Sequence, residues 1–379
     1  MKTRAAVVWE EGQNWDVVEI ELDDPHPGEV LIRMRYAGLC HSDEHLRVGD
    51  LSMPTEWGLP PFLPAIGGHE GAGVVEAVGE GVTSLAVGDH VAMSFVPACG
   101  RCPSCSTGHQ NLCDLAAELF AGDGMIADHT WRHHHGDRDL NLMCQLGTFS
   151  EMIVANESSV VKVEPHHDLA RVALVSCGVA TGWGSAVNTG EVAPGDTVVV
   201  VGVGGVGINA VQGARHAGAV TIVAVDPVEM KREAALSLGA THAVASIPEA
   251  GGPVSEATRG ANADVVILSP GNVSGEMIAP AMALLGKRGR LVVTGLAPLV
   301  QNEAQLGLLD LTLFEKQIRG TVFGSCNPRV DIPRLLRLAE QGAIELDSLV
   351  SKTYPLDAIN EGYADLLAGR IVRGLVEFA

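Results

Sequence analysis

The chain has little positive charge, few aromatic side chains and no long apolar run. Its 379 residues include 25 Lys and Arg against 46 Asp and Glu, giving a formal net charge of −21, and only 4% are aromatic. A nucleic-acid surface needs clustered basic side chains, which this charge balance disfavours. No segment approaches the roughly 18 apolar residues of a membrane-spanning helix, and the N-terminal apolar stretch stops at Trp9, too early for a secretory signal. We therefore expect neither a nucleic-acid nor a membrane partner.

Without a secretory signal, the eight cysteines suit a reducing cytoplasm and metal binding better than a disulfide framework. Four of them follow the pattern C-x2-C-x2-C-x7-C in a glycine-containing polar lobe, at about residues 95–115. Such a lobe has almost nothing apolar to bury, so a metal is the expected source of its order. The spacing predicts a structural zinc with four thiolate ligands: Cys99, Cys102, Cys105 and Cys113.

Cys40, His69 and Cys177 are far apart in sequence, yet such residues can form a three-ligand zinc site with one open position. From its surroundings alone, Cys177 fits a small buried core thiol equally well. Asp43 lies three residues after Cys40 and is suited to orient a ligating imidazole. Glu70 can do the same or approach the metal itself.

The pattern of apolar residues predicts an α/β protein. Residues 1–177 hold short β-branched runs broken by Gly and Pro, which predict a small, partly open β-barrel. Residues 178–322 alternate apolar strands with helices, as in a doubly wound parallel sheet, and residues 323–379 are expected to return to the first domain. Expected strands are 197–201, 221–225, 242–245, 265–269, 290–294 and 318–322; expected helices include 206–217, 229–238 and 275–285.

A glycine-rich turn after the first of these strands predicts a dinucleotide site. The segment 202–207 reads G-x-G-x-x-G, opens an apolar helix, and is followed 19 residues later by Asp226 at the end of the next strand. The glycines let the pyrophosphate approach the backbone at the helix N-terminus, and the carboxylate should bind the adenosine ribose and repel a 2′-phosphate. The predicted cofactor is NAD, bound by Gly202, Gly204, Gly205, Val206, Gly207 and Asp226.

The segment from Gly68 to Val82 matches G-H-E-x2-G-x5-G-x2-V throughout. On this signature the whole chain resembles the zinc-containing medium-chain alcohol dehydrogenases, which implies a GroES-like barrel and a Rossmann domain. The sequence of residues 176–187 resembles that of the actinobacterial subgroup that depends on the artificial acceptor N,N-dimethyl-4-nitrosoaniline (NDMA). Members of that subgroup can hold their nicotinamide cofactor without releasing it.

The resemblance implies a role for each matching residue. Cys40, His69 and Cys177 become ligands of a catalytic zinc, Ser42 and His45 a proton relay, and Phe95 a wall of the substrate pocket. Lys231 joins Asp226 at the adenosine ribose, and Arg373 contacts the pyrophosphate.

One position departs from the family: His41 stands where many relatives have arginine. This removes a permanent bidentate cation from the pyrophosphate contacts.

The implied activity is reversible hydride transfer between a primary or secondary alcohol and NAD, in a homodimer or homotetramer with two zinc ions per chain. An alternative is oxidation of a thiol adduct of formaldehyde, formed with glutathione or mycothiol; another is a nicotinoprotein with non-exchanging NAD. A zinc-ribbon interaction module is disfavoured by the acidity, and zinc-free relatives of quinone reductases lack the ligands. We expect His129 and His133–His135 to lie in a solvated loop without metal, and Cys144 and Cys326 to be buried.

Overall fold

The computed structural model describes residues 1–51, 58, 60–299 and 301–379. It contains two compact units. The first comprises Met1–Cys177, Asn327–Arg337 and Leu346–Ala379, and the second comprises Gly178–Cys326 and Leu338–Glu345. Residues 323–326 and 338–345, which we expected in the first domain, thus belong to the second unit. Among the described residues, no helix combines the length and apolarity that a membrane crossing requires.

The first part of the chain is dominated by short strands. Its helices are α1 (His41–Val48), α2 (Pro103–Ser106) and α3 (Leu169–Leu174). Helix α3 begins after Asp168, whose carboxylate accepts a 2.9 Å hydrogen bond from the Ala170 N–H. The strands are β1 (Lys2–Val8), β2 (Asp16–Leu22), β3 (Glu29–Gly38), β4 (Ala65–Ile66), β5 (Gly71–Val78), β6 (His90–Met93), β7 (His133–His135), β8 (Arg138–Asp139), β9 (Asn141–Leu142), β10 (Met152–Asn156) and β11 (Val160–Lys162).

The second unit is a parallel sheet with intervening helices. Its strand order is β14-β13-β12-β15-β16-β17, so the chain reverses direction across the sheet next to β12, the usual place for a ligand in such folds. The fully buried valines of β12 explain its central position. The strands are β12 (Thr197–Val201), β13 (Thr221–Val225), β14 (His242–Val244), β15 (Ala263–Leu268), β16 (Leu285–Val293) and β17 (Gln317–Gly320); the helices are α4 (Ala180–Gly184), α5 (Gly207–His216), α6 (Glu229–Ser237), α7 (Ile247–Thr258), α8 (Ile278–Ala283) and α9 (Leu308–Leu313).

The last part of the chain contains α10 (Pro328–Glu340), β18 (Val350–Pro355), α11 (Ile359–Leu367) and β19 (Arg373–Glu377). Strand β19 joins the larger sheet of the first unit, whose order is β11-β6-β5-β3-β19-β18 with β10 also paired to β3; the other sheet runs β8-β7-β2-β1-β4-β9. The long strand β3 is the centre of the larger sheet because β10 and β19 pair with successive parts of one edge and β5 pairs with the other. These sheets confirm the GroES-like barrel.

One expectation about local structure was wrong, and a second needs a small change of bounds. The histidine segment is not a solvated loop: His133–His135 is strand β7, paired with β2, and Arg132 and His133 are each 1% exposed. Arg132 is buried because its guanidinium pairs with the buried Glu29 at 2.8 Å. The expected helix 275–285 is present as a 3₁₀ turn, Gly275–Met277, continued by α8, but it ends at Ala283, because strand β16 begins at Leu285.

Candidate functional site

The sheet of the first unit brings Cys40 next to His69. Strands β3 and β5 are antiparallel, with Ala37 opposite Gly71, so residues just after β3 and just before β5 are neighbours. Cys40 then begins helix α1 as its N-cap residue, in extended conformation. Two residues 29 positions apart are thereby placed side by side by strand pairing alone.

Hydrogen bonds of Ser176, the residue before Cys177, hold Cys177 close to Cys40 and His69. The Ser176 hydroxyl accepts a 3.0 Å hydrogen bond from the Gly71 N–H and donates a 2.6 Å hydrogen bond to the Ala173 carbonyl. Ser176 therefore ties the π-helical segment Val175–Val179, which carries Cys177, to the first residue of β5. One potential ligand atom from each of four buried residues lies within 4.8 Å of the others: Cys40, His69, Glu70 and Cys177.

The protonation of these groups depends strongly on their neighbours. A hydrogen bond with Cys177, and the charge of His69, lower the pKa of the Cys40 thiol well below its usual value, although burial opposes this. Burial alone would lower the pKa of the His69 imidazole, but the charges of Asp43 and Cys40 outweigh it and raise that pKa well above normal. The cluster therefore favours a thiolate and a balancing positive charge, which a zinc ion provides.

Asp43 connects helix α1 to the segment that carries His69. The carboxylate is fully buried, and its Oδ1 accepts a 2.8 Å hydrogen bond from the Gly68 N–H. His69 Nδ1 lies 3.2 Å from this carboxylate. Because Nδ1 faces Asp43, Nε2 is left for a metal, the arrangement usual for metal-bound histidines.

Glu70 offers one carboxylate oxygen to a cation. Its Oε2 pairs with the guanidinium of Arg373, which is 4% exposed, whereas its buried Oε1 has no hydrogen bond among the described residues. A buried carboxylate oxygen in this state is costly unless a cation or donor approaches it, so the donor set fits zinc. Gly38 is required here, since a Cβ at that position would lie 2.0 Å from Glu70 Oε2.

The expected relay residues lie on helix α1, as a shared face requires. The Cys40 Sγ lies 3.7 Å from the Ser42 Oγ, and His45 Nδ1 lies 2.7 Å from the Asp50 carboxylate. Ser42 is not the N-cap of this helix, because Cys40 occupies that position. His41 is half-buried at the helix start. The ring of Phe95 meets His69 edge to face, with centroids 5.6 Å apart.

The second cysteine cluster has the dimensions of a four-thiolate zinc site. Its Sγ atoms lie 3.9 Å apart for Cys99 and Cys105 and 4.0 Å apart for Cys102 and Cys113, close to the roughly 3.8 Å edge of a tetrahedron with Zn–S bonds of about 2.3 Å. Backbone N–H groups of Cys99, Cys102 and Cys105 point at neighbouring sulfur atoms at 3.4 Å. These donors stabilise negative charge on sulfur.

Four thiolates this close require a cation. Burial would raise the pKa of the Cys99 thiol, but the N–H groups of Arg101 and Cys102 lower it to about 6. Burial raises the pKa of Cys105 to about 12 and also raises that of Cys113. In contrast, Cys144 is a lone buried thiol whose pKa is raised to about 12 by burial, and Cys326 is fully buried, as expected for both.

The dinucleotide turn in the second unit has the expected geometry. Gly202 has φ +81°, and a Cβ on Gly207 would lie 1.8 Å from the Gly202 carbonyl oxygen, so both positions require glycine. Asp226 follows β13 and is held from both sides. Its Oδ2 accepts a 3.0 Å hydrogen bond from the Val203 N–H, and its Oδ1 accepts one of 2.9 Å from the Val228 N–H.

Two basic residues of helix α6 lie near this turn. The Lys231 Nζ is 4.0 Å from the position of a Cβ on Gly204. The guanidinium of Arg232 donates to the carbonyls of Asp226 and Pro227, at 2.7 and 2.9 Å. Our sequence interpretation missed Arg232, as it missed Ser176, because neither belongs to a motif that spacing reveals.

Two family models match most of the chain. The alcohol dehydrogenase GroES-like domain matches residues 26–165, and the zinc-binding dehydrogenase domain matches residues 205–341.

Relatives of similar sequence and solved structures agree with this match. The chain is 50% identical to an NDMA-dependent alcohol dehydrogenase from Amycolatopsis methanolica, over 99% of each chain. It is 49% identical to a putative alcohol dehydrogenase D from Mycobacterium tuberculosis, over 99% of this chain and 100% of that one. Benzyl alcohol dehydrogenase from Acinetobacter calcoaceticus has the same fold, with a TM-score of 0.90, 32% identity and full coverage of both chains.

The two cysteine clusters predict two zinc ions per chain that differ in removability. Metal analysis of the wild-type protein should find both, and mild chelation should abolish activity before it unfolds the protein, because only one cluster has an open position. Cys177→Ser should lose one zinc, whereas Cys144→Ser, a change of another single buried thiol, should keep two. A wild-type stoichiometry of one or none would contradict the assignment.

Asp226 predicts selectivity for NAD over NADP. Two like charges about 4 Å apart repel by roughly 4 kcal/mol at an effective dielectric constant near 20. Replacing Asp226 with Asn should therefore raise the ratio of NADP to NAD binding, by up to roughly 1,000-fold. Asp264→Asn is the control, because Asp264 also accepts a backbone hydrogen bond, 2.8 Å from the Thr197 N–H, in the same unit. Equal binding of both cofactors by wild type would show that Asp226 has been assigned wrongly.

Proposed function

The chain belongs to the zinc-containing alcohol dehydrogenases of the medium-chain superfamily, and we propose that it interconverts primary or secondary alcohols with aldehydes or ketones, using NAD. The observation that carries the proposal is the buried set of Cys40, His69 and Cys177 beside a carboxylate oxygen of Glu70 that has no hydrogen bond among the described residues. Three ligands and an open position distinguish a catalytic zinc site from a structural one.

A zinc ion bound by these residues supplies positive charge that makes an alcohol hydroxyl a stronger acid. The protein's own residues then carry the alcohol proton away. The proposed role of Ser42, whose hydroxyl lies 3.7 Å from the Cys40 sulfur, is to accept the proton from the alcohol and pass its own towards His45. The Asp50 carboxylate, 2.7 Å from His45 Nδ1, holds the orientation of the imidazole. Phe95, whose ring meets His69 edge to face, is proposed to form a wall of the substrate pocket.

NAD is the proposed cofactor because the Asp226 carboxylate is fixed by two backbone N–H groups and disfavours a 2′-phosphate. Gly202, Gly204, Gly205, Val206 and Gly207 are proposed to bind the pyrophosphate, with Lys231 at the ribose. Arg373 and His41 are proposed to contact the pyrophosphate as well. The 50% identity to an NDMA-dependent enzyme supports a cofactor that exchanges slowly.

We propose a homo-oligomer in the cytoplasm. Helix α9 exposes Leu308, Leu309 and Leu313 at 70, 72 and 66%, next in sequence to β17, the edge strand of the parallel sheet. An exposed apolar helix beside an open sheet edge is typical of a surface that a second copy covers. Reduced thiols, which both zinc sites need, support the cytoplasmic location.

Assays with an alcohol panel test this function. Purified protein should oxidise alcohols, benzyl alcohol among them, either with added NAD⁺ or only with NDMA. Activity with NDMA alone indicates a cofactor that is not released. A protein that carries two zinc ions but oxidises no alcohol with either acceptor would refute the proposal.

In the proposed reaction, the substitution Ser42→Ala should lower kcat by ~10²–10⁴-fold, because positioned proton transfer contributes that much to the rate. The loss of one hydroxyl should cost only about 1 kcal/mol of unfolding free energy. Ser150→Ala is a matched control, since the Ser150 hydroxyl donates only to backbone, with the Met152 carbonyl at 2.8 Å. Near-normal turnover by zinc-loaded Ser42→Ala protein would remove Ser42 from the mechanism.

A further inference from the structure

The first turn of helix α5 uses a side chain at a place where a regular helix uses backbone. The Asn209 N–H bonds to the Val206 carbonyl, three residues earlier, at 3.0 Å, which is the spacing of a 3₁₀ turn. The carbonyl four residues before Asn209, the acceptor in a regular α-helix, is that of Gly205. The side-chain amide of Asn209 donates to this carbonyl at 2.9 Å, so the side chain fixes its direction.

The direction of the Gly205 carbonyl sets the direction of the next N–H. A carbonyl that bonds to a residue four positions later points along the helix towards its C-terminus. Within one trans peptide group the C=O and the N–H point in opposite directions. The Val206 N–H therefore points out of the N-terminal end of α5, where helices bind anions.

Gln212 holds the amide of Asn209 in place. The two residues lie three positions apart on one face of α5 and are 5% and 1% exposed, respectively. Gln212 Nε2 donates to Asn209 Oδ1 and to the Glu345 carbonyl, both at 3.0 Å, which uses both of its N–H groups. Gln212 Oε1 accepts the Glu345 N–H at 2.7 Å.

The backbone of Glu345 decides the orientation of both amides. Its N–H only donates and its carbonyl only accepts, so Gln212 must face them with Oε1 and Nε2, respectively. Asn209 Oδ1 must then accept from Gln212, which leaves Asn209 Nδ2 to face the Gly205 carbonyl. The reverse orientation would leave buried polar groups without partners, which is costly. The amide pair, Gln212 and Asn209, thus acts in one direction, from Glu345 to the dinucleotide turn.

Helix α4 packs closely against the same turn. A Cβ on Gly182 would lie 2.0 Å from the Val206 carbonyl oxygen and 2.8 Å from the Asn209 Cβ. With neighbours this close, the turn has little room for another peptide orientation.

We propose that Asn209 is a positioning residue for the cofactor: oriented by Gln212, its amide holds the Gly205 carbonyl and so presents the Val206 N–H to the pyrophosphate. The inference rests on the proposed function, because it concerns the binding of NAD. The amide pair contains no titratable group, so its effect should not change with pH near neutrality.

Binding of two fragments of the cofactor tests this role. ADP carries the pyrophosphate, whereas adenosine carries only the part expected at Asp226. Their dissociation constants are measured with full-length, zinc-loaded protein by displacement of NADH, after removal of any cofactor that copurifies. Asn209→Ala should bind ADP roughly 10–100-fold more weakly, because a hydrogen bond to a charged group contributes that much. It should bind adenosine as wild type does.

Two further variants separate positioning from stability. Asn209→Ser should bind ADP more tightly than Asn209→Ala, since a helical Ser hydroxyl can donate to the carbonyl four residues earlier. Asn188→Ala is the matched control, because Asn188 also donates to a glycine carbonyl of the same unit, that of Gly324 at 3.2 Å. It should keep wild-type affinity for ADP even if it is less stable. No gain from serine, or an equal loss in Asn188→Ala, would overturn the proposal.

A double-mutant cycle tests the amide pair itself. When Gln212 acts through Asn209, adding Gln212→Met to Asn209→Ala should weaken ADP binding no further. Additive losses, wild-type ADP affinity in Asn209→Ala, or an equal loss of adenosine affinity would contradict the proposal. Wild-type protein that binds neither NADH nor ADP would instead refute the proposed cofactor, so the two failures are distinguishable.

Discussion

The buried charge of Asp43 is the interaction on which the arrangement of the site depends. A charge without solvent is tolerated only when hydrogen bonds and opposite charge compensate it. Here the compensation comes from the Gly68 N–H and the His69 ring. Helix α1, which carries Asp43, and the segment before β5 must therefore take fixed positions relative to each other. This constraint also places Ser42, on the same helix, beside the sulfur of Cys40.

The rest of the site follows from where strands end. Pairing of β3 with β5 brings Cys40 to His69, and Ser176 brings the third ligand by a hydrogen bond to the first N–H of β5. The same first unit holds Arg373, whose pairing with Glu70 neutralises a second buried carboxylate. Ligands far apart in sequence thus converge through backbone pairing and a few side chains that bond to backbone.

Sequence patterns predicted the fold class and the four-cysteine cluster, because these follow from periodicity and spacing, whereas the set of Cys40, His69 and Cys177 was implied by the family resemblance. Strands β12 and β13 were predicted with their observed bounds, since each is a short continuous run of mostly β-branched apolar residues. The structure brings Cys40, His69 and Cys177 together, whereas their spacing alone left Cys177 undecided. The part played by Ser176 could not be predicted, because this residue precedes a cysteine without belonging to any motif. The segment around His133 was misjudged because its burial depends on a partner, Glu29, about a hundred residues away.

The central claim is that an alcohol held at the Cys40, His69 and Cys177 site gives its hydride to NAD held by the same chain. The most direct measurement uses an alcohol deuterated at its carbinol carbon, followed by mass analysis of the nicotinamide cofactor extracted from the protein. The account predicts deuterium at C4 of the reduced cofactor from wild type, and none from Cys177→Ser protein. Two results would contradict it: alcohol oxidation by wild type that leaves the reduced cofactor without deuterium, or deuterium in the reduced cofactor from Cys177→Ser protein.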